Sequence, residues 1–149
     1  MREEDAAVTA GILPVARPRR PDPLPGRYVV SANIPGVAVT CRAERGLLVV
    51  ALSGVLDITS APALREHLLR VVHQCAGRLV IDLAGVSHAD VSGLTVLVGT
   101  GRRARLLGGF LRLAAPVADV AGTLSATGLT QQLDIYATVE AAINGPALA

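Results

Sequence analysis

The chain has 149 residues and a formal net charge of only +2, and 51% of its residues are hydrophobic. This length fits one domain with a tail, and such a chain can bury about two thirds of its unfolded surface. A nucleic-acid binder usually shows a strong basic excess and aromatic rings for stacking. Because the charge is small and only Tyr28, Phe110 and Tyr136 are aromatic, we expect no direct contact with nucleic acid.

Proline interrupts the N-terminal part of the chain at six positions between Pro14 and Pro35, with arginines interspersed. Since proline lacks the N–H that helices and central strands need, residues 1–36 are predicted to form a Pro/Arg-rich flexible tail. Tyr28 to Val30 is a candidate edge strand within it.

Targeting and redox signals are weak. The first residues do not resemble a secretory signal, and no run reaches the roughly 20 apolar residues of a membrane helix. Cys41 and Cys75 lack the spacing of metal ligands. We therefore expect a cytoplasmic protein with reduced thiols, no membrane insertion and no metal.

From Val37 onward, apolar residues recur with the periods of strands and helices. A hairpin comes first, and helices then alternate with strands, which predicts an α/β fold with a mostly parallel sheet and right-handed crossovers. One face of the sheet should be covered by helices and the other only partly. The predicted strands are 37–43, 47–52, 79–84, 110–113 and 133–136, and the predicted helices start at Ser60, Leu94, Pro116 and Thr138.

Titratable residues on these elements give no metal site. His67 and His73 are six residues apart in the first helix, so they do not form an i, i+4 ligand pair, and both are expected at the surface or its boundary. Asp82 lies in an apolar strand. Since a buried carboxylate needs partners, a position near the sheet edge is expected.

The most informative segment is the turn Asp90-Val91-Ser92-Gly93-Leu94, which separates an apolar strand from an amphipathic helix. Ser92 is predicted at the helix start, where free N–H groups and the positive end of the dipole favour negative charge. Such a position suits a phosphoserine. The alternative is that Ser92 is only the N-cap of the helix.

Common catalytic motifs are missing. The chain contains no lysine, so it has no phosphate-binding P-loop, and neither Ser53 nor Ser92 lies in a Gly-x-Ser-x-Gly elbow. His88, Asp90 and Ser92 share one short turn, whereas a catalytic triad normally draws on separate loops. We expect no catalytic residue, no cofactor and no enzymatic activity.

Two segments together resemble the STAS domain family. The stretch from Gly54 to Leu64 resembles the first loop and first helix of these domains, and the stretch from Asp82 to Leu94 resembles their phosphorylation loop. Three further short motifs follow in the same order as in the family: Arg102 to Arg105, Gly108-Gly109 and Thr127 to Leu129. The resemblance is to the bacterial anti-sigma factor antagonists, and the STAS domain would span residues 37–146.

This resemblance implies a STAS-like mixed sheet with helices packed mainly on one face. It also implies a partner-switching function, in which the protein binds an anti-sigma factor and so frees a sigma factor. The anti-sigma factor would be a serine kinase that phosphorylates Ser92 and ends binding, and a serine phosphatase would reverse this. The partner-binding residues would be Asp57, Thr59, Asp90, Val91, Ser92, Gly93 and Leu94.

The sequence departs from the family pattern in both loops. Val55 stands where glutamate is usual, and Val91 where serine is frequent, so Ser92 is the single serine of its turn. His88 and Ala89 replace bulkier apolar residues. The resemblance also leaves a second function open, because the same fold serves as a non-switching STAS adaptor subunit of a transporter or lipid-trafficking complex.

Overall fold

The computed structural model describes the backbone of residues 27–28 and all of residues 34–145. Most of the predicted tail therefore lies outside the described residues. The strands are β1 (Arg27–Tyr28), β2 (Val37–Glu44), β3 (Leu47–Leu56), β4 (Arg78–Ala89), β5 (Phe110–Ala114) and β6 (Asp134–Tyr136). The helices are α1 (Ala61–Gln74), α2 (Val91–Leu106), α3 (Ala118–Ala126) and α4 (Val139–Ile143), with a 3-10 turn at Leu129–Gln131.

The described strands form one sheet in chain order, β1-β2-β3-β4-β5-β6. The first three are antiparallel neighbours, and β3 to β6 are parallel. Arg45 and Gly46 connect β2 to β3 with φ angles of 52° and 82°, because a two-residue hairpin turn of this kind needs positive φ at both positions. The predicted hairpin and mostly parallel sheet are thus confirmed.

The main core lies between one face of the sheet and the helices α1, α2 and α3. Leu64 and Leu68 of α1 and Leu94 and Leu97 of α2 are 0% exposed. The predicted inward faces of both helices are therefore correct.

The opposite face of the sheet is covered in part by α4. Ala142 and Ile143 of this helix pack with Val49, Val80 and Ala114 of the central strands. The fold is the expected one, with helices mainly on one face of the sheet.

Strands β3 and β4 are longer than predicted. β3 continues to Leu56 and β4 to Ala89, through stretches predicted as loops. The two strands stay paired because register shifts, at 51–53 and at Gly54/Val55, absorb the irregular backbone. Exposed polar residues along both extensions hid this pairing from the apolar pattern.

Two polar residues lie elsewhere than predicted. Asp82 is on the central strand β4, not at a sheet edge. It is half-buried, and its register partner Ala114 is the last residue of β5. Its carboxylate accepts a hydrogen bond from the backbone N–H of Ala84 at 3.0 Å. His67 is buried, at 4% exposure, rather than at the surface. This burial, followed by the charge of Arg70, lowers the pKa of His67.

Candidate functional site at two neighbouring helix starts

The candidate site forms where β3 and β4 end. Leu56 and Ala89, the last residues of these parallel strands, are register partners, and the backbone N–H of Asp90 donates to the carbonyl of Leu56 at 2.9 Å. The turn that leads into α1 and the turn that leads into α2 therefore lie side by side, as parallel neighbours require.

Asp57 holds the first turn. Its Oδ1 accepts hydrogen bonds from the backbone N–H groups of Thr59 at 2.9 Å and Ser60 at 3.2 Å. These bonds lower the pKa of Asp57, and the bond from Ser60 is the largest cause, so the carboxylate is ionised at neutral pH. Ile58, which lies between Asp57 and Thr59 in this turn, is 72% exposed.

Ser60 lies beneath this turn and is fully buried. Its Oγ accepts from the backbone N–H of Asp57 at 3.0 Å and lies 3.2 Å from the carbonyl oxygens of Val55 and Asp57, to which its hydroxyl can donate. The hydroxyl therefore joins the end of β3 to the start of α1.

Asp90 is the N-cap of α2, with extended backbone angles, and its Oδ1 accepts from the N–H of Gly93 at 3.0 Å. Gly93 packs directly on β3. A Cβ atom there would lie 2.6 Å from both the carbonyl oxygen and the Cβ of Leu56. Only glycine fits this close approach of helix to strand.

Ser92 is the second residue of α2 and is partly exposed. Since Asp90 occupies the N-cap position, the alternative that Ser92 is the N-cap is wrong. Within the described residues no hydrogen bond to the Ser92 hydroxyl is formed, so this hydroxyl has no structural partner there.

The fold brings the predicted site residues to one edge of the sheet but presents them differently. Thr59 and Val91 are exposed, whereas Gly93 and Leu94 are buried on the inner side of α2. The last two shape the site from below and do not present side chains on its surface. Sequence reasoning missed Ile58, whose only signal is an apolar residue inside a polar loop.

His88 contacts a different element. Its Nδ1 lies 2.7 Å from Oδ2 of Asp119, which joins the end of β4 to the first turn of α3. Both side chains are more than half exposed, so this pair adds little stability. No hydrogen bond links His88 to Ser92 in the part of the chain that the structure describes.

The described residues contain no cluster of three His, Cys, Asp or Glu side chains that could hold a metal ion. Among the same residues, no helix has both the length and the apolar character that crossing a bilayer requires.

Comparison with known proteins identifies the family of this chain. The family model of the STAS domain matches residues 38–142. The chain belongs to the STAS domain family. The predicted resemblance to this family is therefore confirmed.

The relatives include the anti-sigma-B factor antagonist of Bacillus subtilis, which is 37% identical over 94 residues, or 63% of this chain and 85% of the relative. A solved anti-sigma factor antagonist from Mycobacterium paratuberculosis is 28% identical, with a TM-score of 0.65 over 72% of this chain and 91% of its own. The murine anion transporter Slc26a9 shares the fold alone. It is 20% identical, with a TM-score of 0.59 over 68% of this chain and 18% of its own.

Proposed function

We propose that this protein is an anti-sigma factor antagonist, which binds an anti-sigma factor in the cytoplasm and so releases a sigma factor. The 37% identical relative from Bacillus subtilis is named for this activity. The site supports a binding function, because Ile58, Thr59 and Val91 present exposed side chains for contact. The protein would need no cofactor.

The proposed contact surface is the edge formed by the two helix starts. Ile58 and Val91 are 72% and 54% exposed and would supply its apolar contacts. Asp57, Thr59 and Asp90 would supply its polar ones. An apolar centre with a polar surround is the usual composition of a protein–protein interface.

Phosphorylation of Ser92 is proposed to switch this surface off, with the anti-sigma factor as the serine kinase and a serine phosphatase as the reversing enzyme. The observation that carries the proposal is that the Ser92 hydroxyl, in the first turn of α2, makes no hydrogen bond among the described residues, since Asp90 caps this helix. Ser92 is partly exposed, and its modification would leave the hydrogen bond from Gly93 to Asp90 intact.

The added charge explains how binding would end. A phosphate carries about −1.5 to −2 charges and suits a helix N-terminus in the free protein. In a closed interface the phosphate would be desolvated and would repel facing carboxylates. One pair of like charges about 5 Å apart, at an effective dielectric near 20, costs roughly 3 kcal/mol, or on the order of a hundredfold in affinity.

The test begins with affinity capture from the protein's own cells and mass spectrometry, which reports partner and phosphosite together. Titration calorimetry with the purified anti-sigma factor then compares Ser92→Ala with Ser92→Asp. We expect Ser92→Ala to bind and Ser92→Asp to bind roughly a hundredfold more weakly while remaining folded. The control is Ser125→Asp, the same change at an exposed position on α3.

Equal affinities for the two Ser92 variants would contradict the switch. Capture of transporter or lipid-trafficking subunits in place of an anti-sigma factor would instead favour the non-switching adaptor.

A further inference from the structure

A groove of about 620 Å³ runs between α1 and α2 on the outer side of the helical layer. It is called here the α1–α2 groove. Arg65 and Leu69 of α1 and Ser92, Val96, Gly99 and Leu106 of α2 are among the residues that line it. The groove therefore begins at the proposed phosphorylation site and extends away from the contact edge described above.

The charge of this groove is one-sided. Arg65, Arg102 and Arg103 line it, and no acidic residue does among those the structure describes. Leu106, at the far end, is 77% exposed. An apolar floor with cationic rims complements an amphipathic segment whose polar side is acidic.

Gly99 is the second distinctive feature of the groove. It lies in the middle of α2 and is exposed, and a Cβ atom built there meets nothing within 4 Å. Glycine weakens a helix interior. At Gly93 close contact with Leu56 explains the glycine, but no packing within the described chain requires one at position 99. Its missing side chain leaves the floor open for the close approach of another backbone.

The dimensions fit a helix. Ser92 to Leu106, the two ends of the lining on α2, spans about 21 Å at roughly 1.5 Å per residue, which accommodates about four turns of a helix laid along the groove. Two helices already form its walls, and helices pack closest where the contacting side chains are small. Recognition of an amphipathic helix by such a groove is a recurring mode of protein binding.

We propose that the α1–α2 groove binds an acidic amphipathic helix of the anti-sigma factor, with Gly99 at the point of closest approach. This inference rests on the proposed function and adds a second contact to it. It also gives the switch a further effect, because a phosphate on Ser92 would stand at the end of the groove and repel the acidic helix.

Site-specific photocrosslinking identifies the occupant directly. The full-length protein carries p-benzoylphenylalanine at Leu106, or as a control at the exposed Ser125 on α3, and is irradiated in its own cells. We expect the Leu106 adduct to contain an acidic amphipathic segment of the anti-sigma factor, and no such adduct from Ser125. No adduct, or one with a second copy of this chain, its own residues 1–33 or a basic segment, would overturn the inference.

Titration calorimetry with the purified anti-sigma factor supplies the second test. Gly99→Leu should fill the groove and weaken binding roughly tenfold or more, without lowering the melting temperature. The matched control is Gly122→Leu on α3, where a Cβ atom also meets nothing within 4 Å. Likewise Arg103→Glu should weaken binding, whereas Arg105→Glu, in the same last turn but outside the groove, should not.

The two proposals fail in different ways. If Ser92→Asp weakens binding while Gly99→Leu behaves like Gly122→Leu, the groove inference is wrong and the proposed function stands. If the anti-sigma factor binds neither the parent protein nor any of the variants, the proposed function itself is wrong.

Discussion

The turn before α1 and the turn before α2 lie side by side at the same edge of the sheet, and one aspartate holds each. Asp57 accepts backbone N–H bonds in the first turn, and Asp90 caps the helix in the second. Each turn also brings one serine to a helix start. Ser60 is fully buried and hydrogen-bonded to the backbone, whereas Ser92 is partly exposed and its hydroxyl has no partner among the described residues.

This difference separates a serine that holds the backbone from one whose proposed modification would break no hydrogen bond among the described residues. At the first turn the hydroxyl fixes the chain, and a kinase has no access to it. At the second turn Asp90 caps the helix and Gly93 makes the close contact with β3, so no hydrogen bond among the described residues depends on the Ser92 side chain. A serine beside a helix is thus a modification candidate only when other residues satisfy the local backbone.

The largest expected effects test whether the two helices are equally anchored. Leu68 of α1 and Leu97 of α2 are both 0% exposed, so either substitution by alanine should lower the free energy of unfolding by roughly 2–5 kcal/mol. Urea unfolding followed by circular dichroism measures this. If the substitution in one helix alone left the free energy of unfolding unchanged, the starts of α1 and α2 would not share one rigid core.

The next largest effect concerns the packing of the second turn. Gly93→Ala would place a Cβ atom 2.6 Å from Leu56 and should destabilise by about 1–3 kcal/mol through overpacking. Gly99→Ala, in the same helix with open space around it, should instead stabilise by about 0.5–1 kcal/mol. Thermal unfolding of the two variants tests this prediction. Equal changes in melting temperature would show that the protein relieves the close contact at Gly93 without losing stability.

The serines themselves give the most direct test of the comparison, with an effect of similar size at Ser60 and almost none at Ser92. Ser60→Ala removes a buried hydroxyl and leaves the N–H of Asp57 without its acceptor, which should cost about 1–3 kcal/mol. Ser92→Ala should change stability by no more than about 0.5 kcal/mol. If Ser92→Ala proved the more destabilising in denaturant titrations, Ser92 would have a structural role after all.

The smallest effect is a dependence of stability on pH that arises on α1. Burial lowers the pKa of His67 below its ordinary value of 6.5, and its Nε2 has no hydrogen-bond partner among the described residues. As the pH falls, His67 therefore takes up a proton in the unfolded chain before it does so in the folded protein. The contribution of neutral His67 to the free energy of unfolding is complete above about pH 6.5 and is lost as the pH falls below that value. His67→Leu should flatten the profile of unfolding free energy between pH 7 and pH 5, and an unchanged profile would contradict the assignment to His67.

The sequence alone determined the order of elements and the inward faces of the main helices. Apolar periodicity predicted α1 and α2 with Leu68 and Leu97 inside, because a helix that covers a sheet must bury one stripe of its surface. The turn from Asp90 to Leu94 also predicted where α2 begins. These features are local, and local residues specify them.

Tertiary structure decided the rest. The length of β4 and the burial of His67 depend on which elements pack against them. The capping by Asp90, the contact of Gly93 with Leu56 and the open groove at Gly99 follow from how closely α2 approaches its neighbours. The distinction between Ser60 and Ser92 belongs to this class, since burial and hydrogen bonding are set by distant parts of the chain brought together.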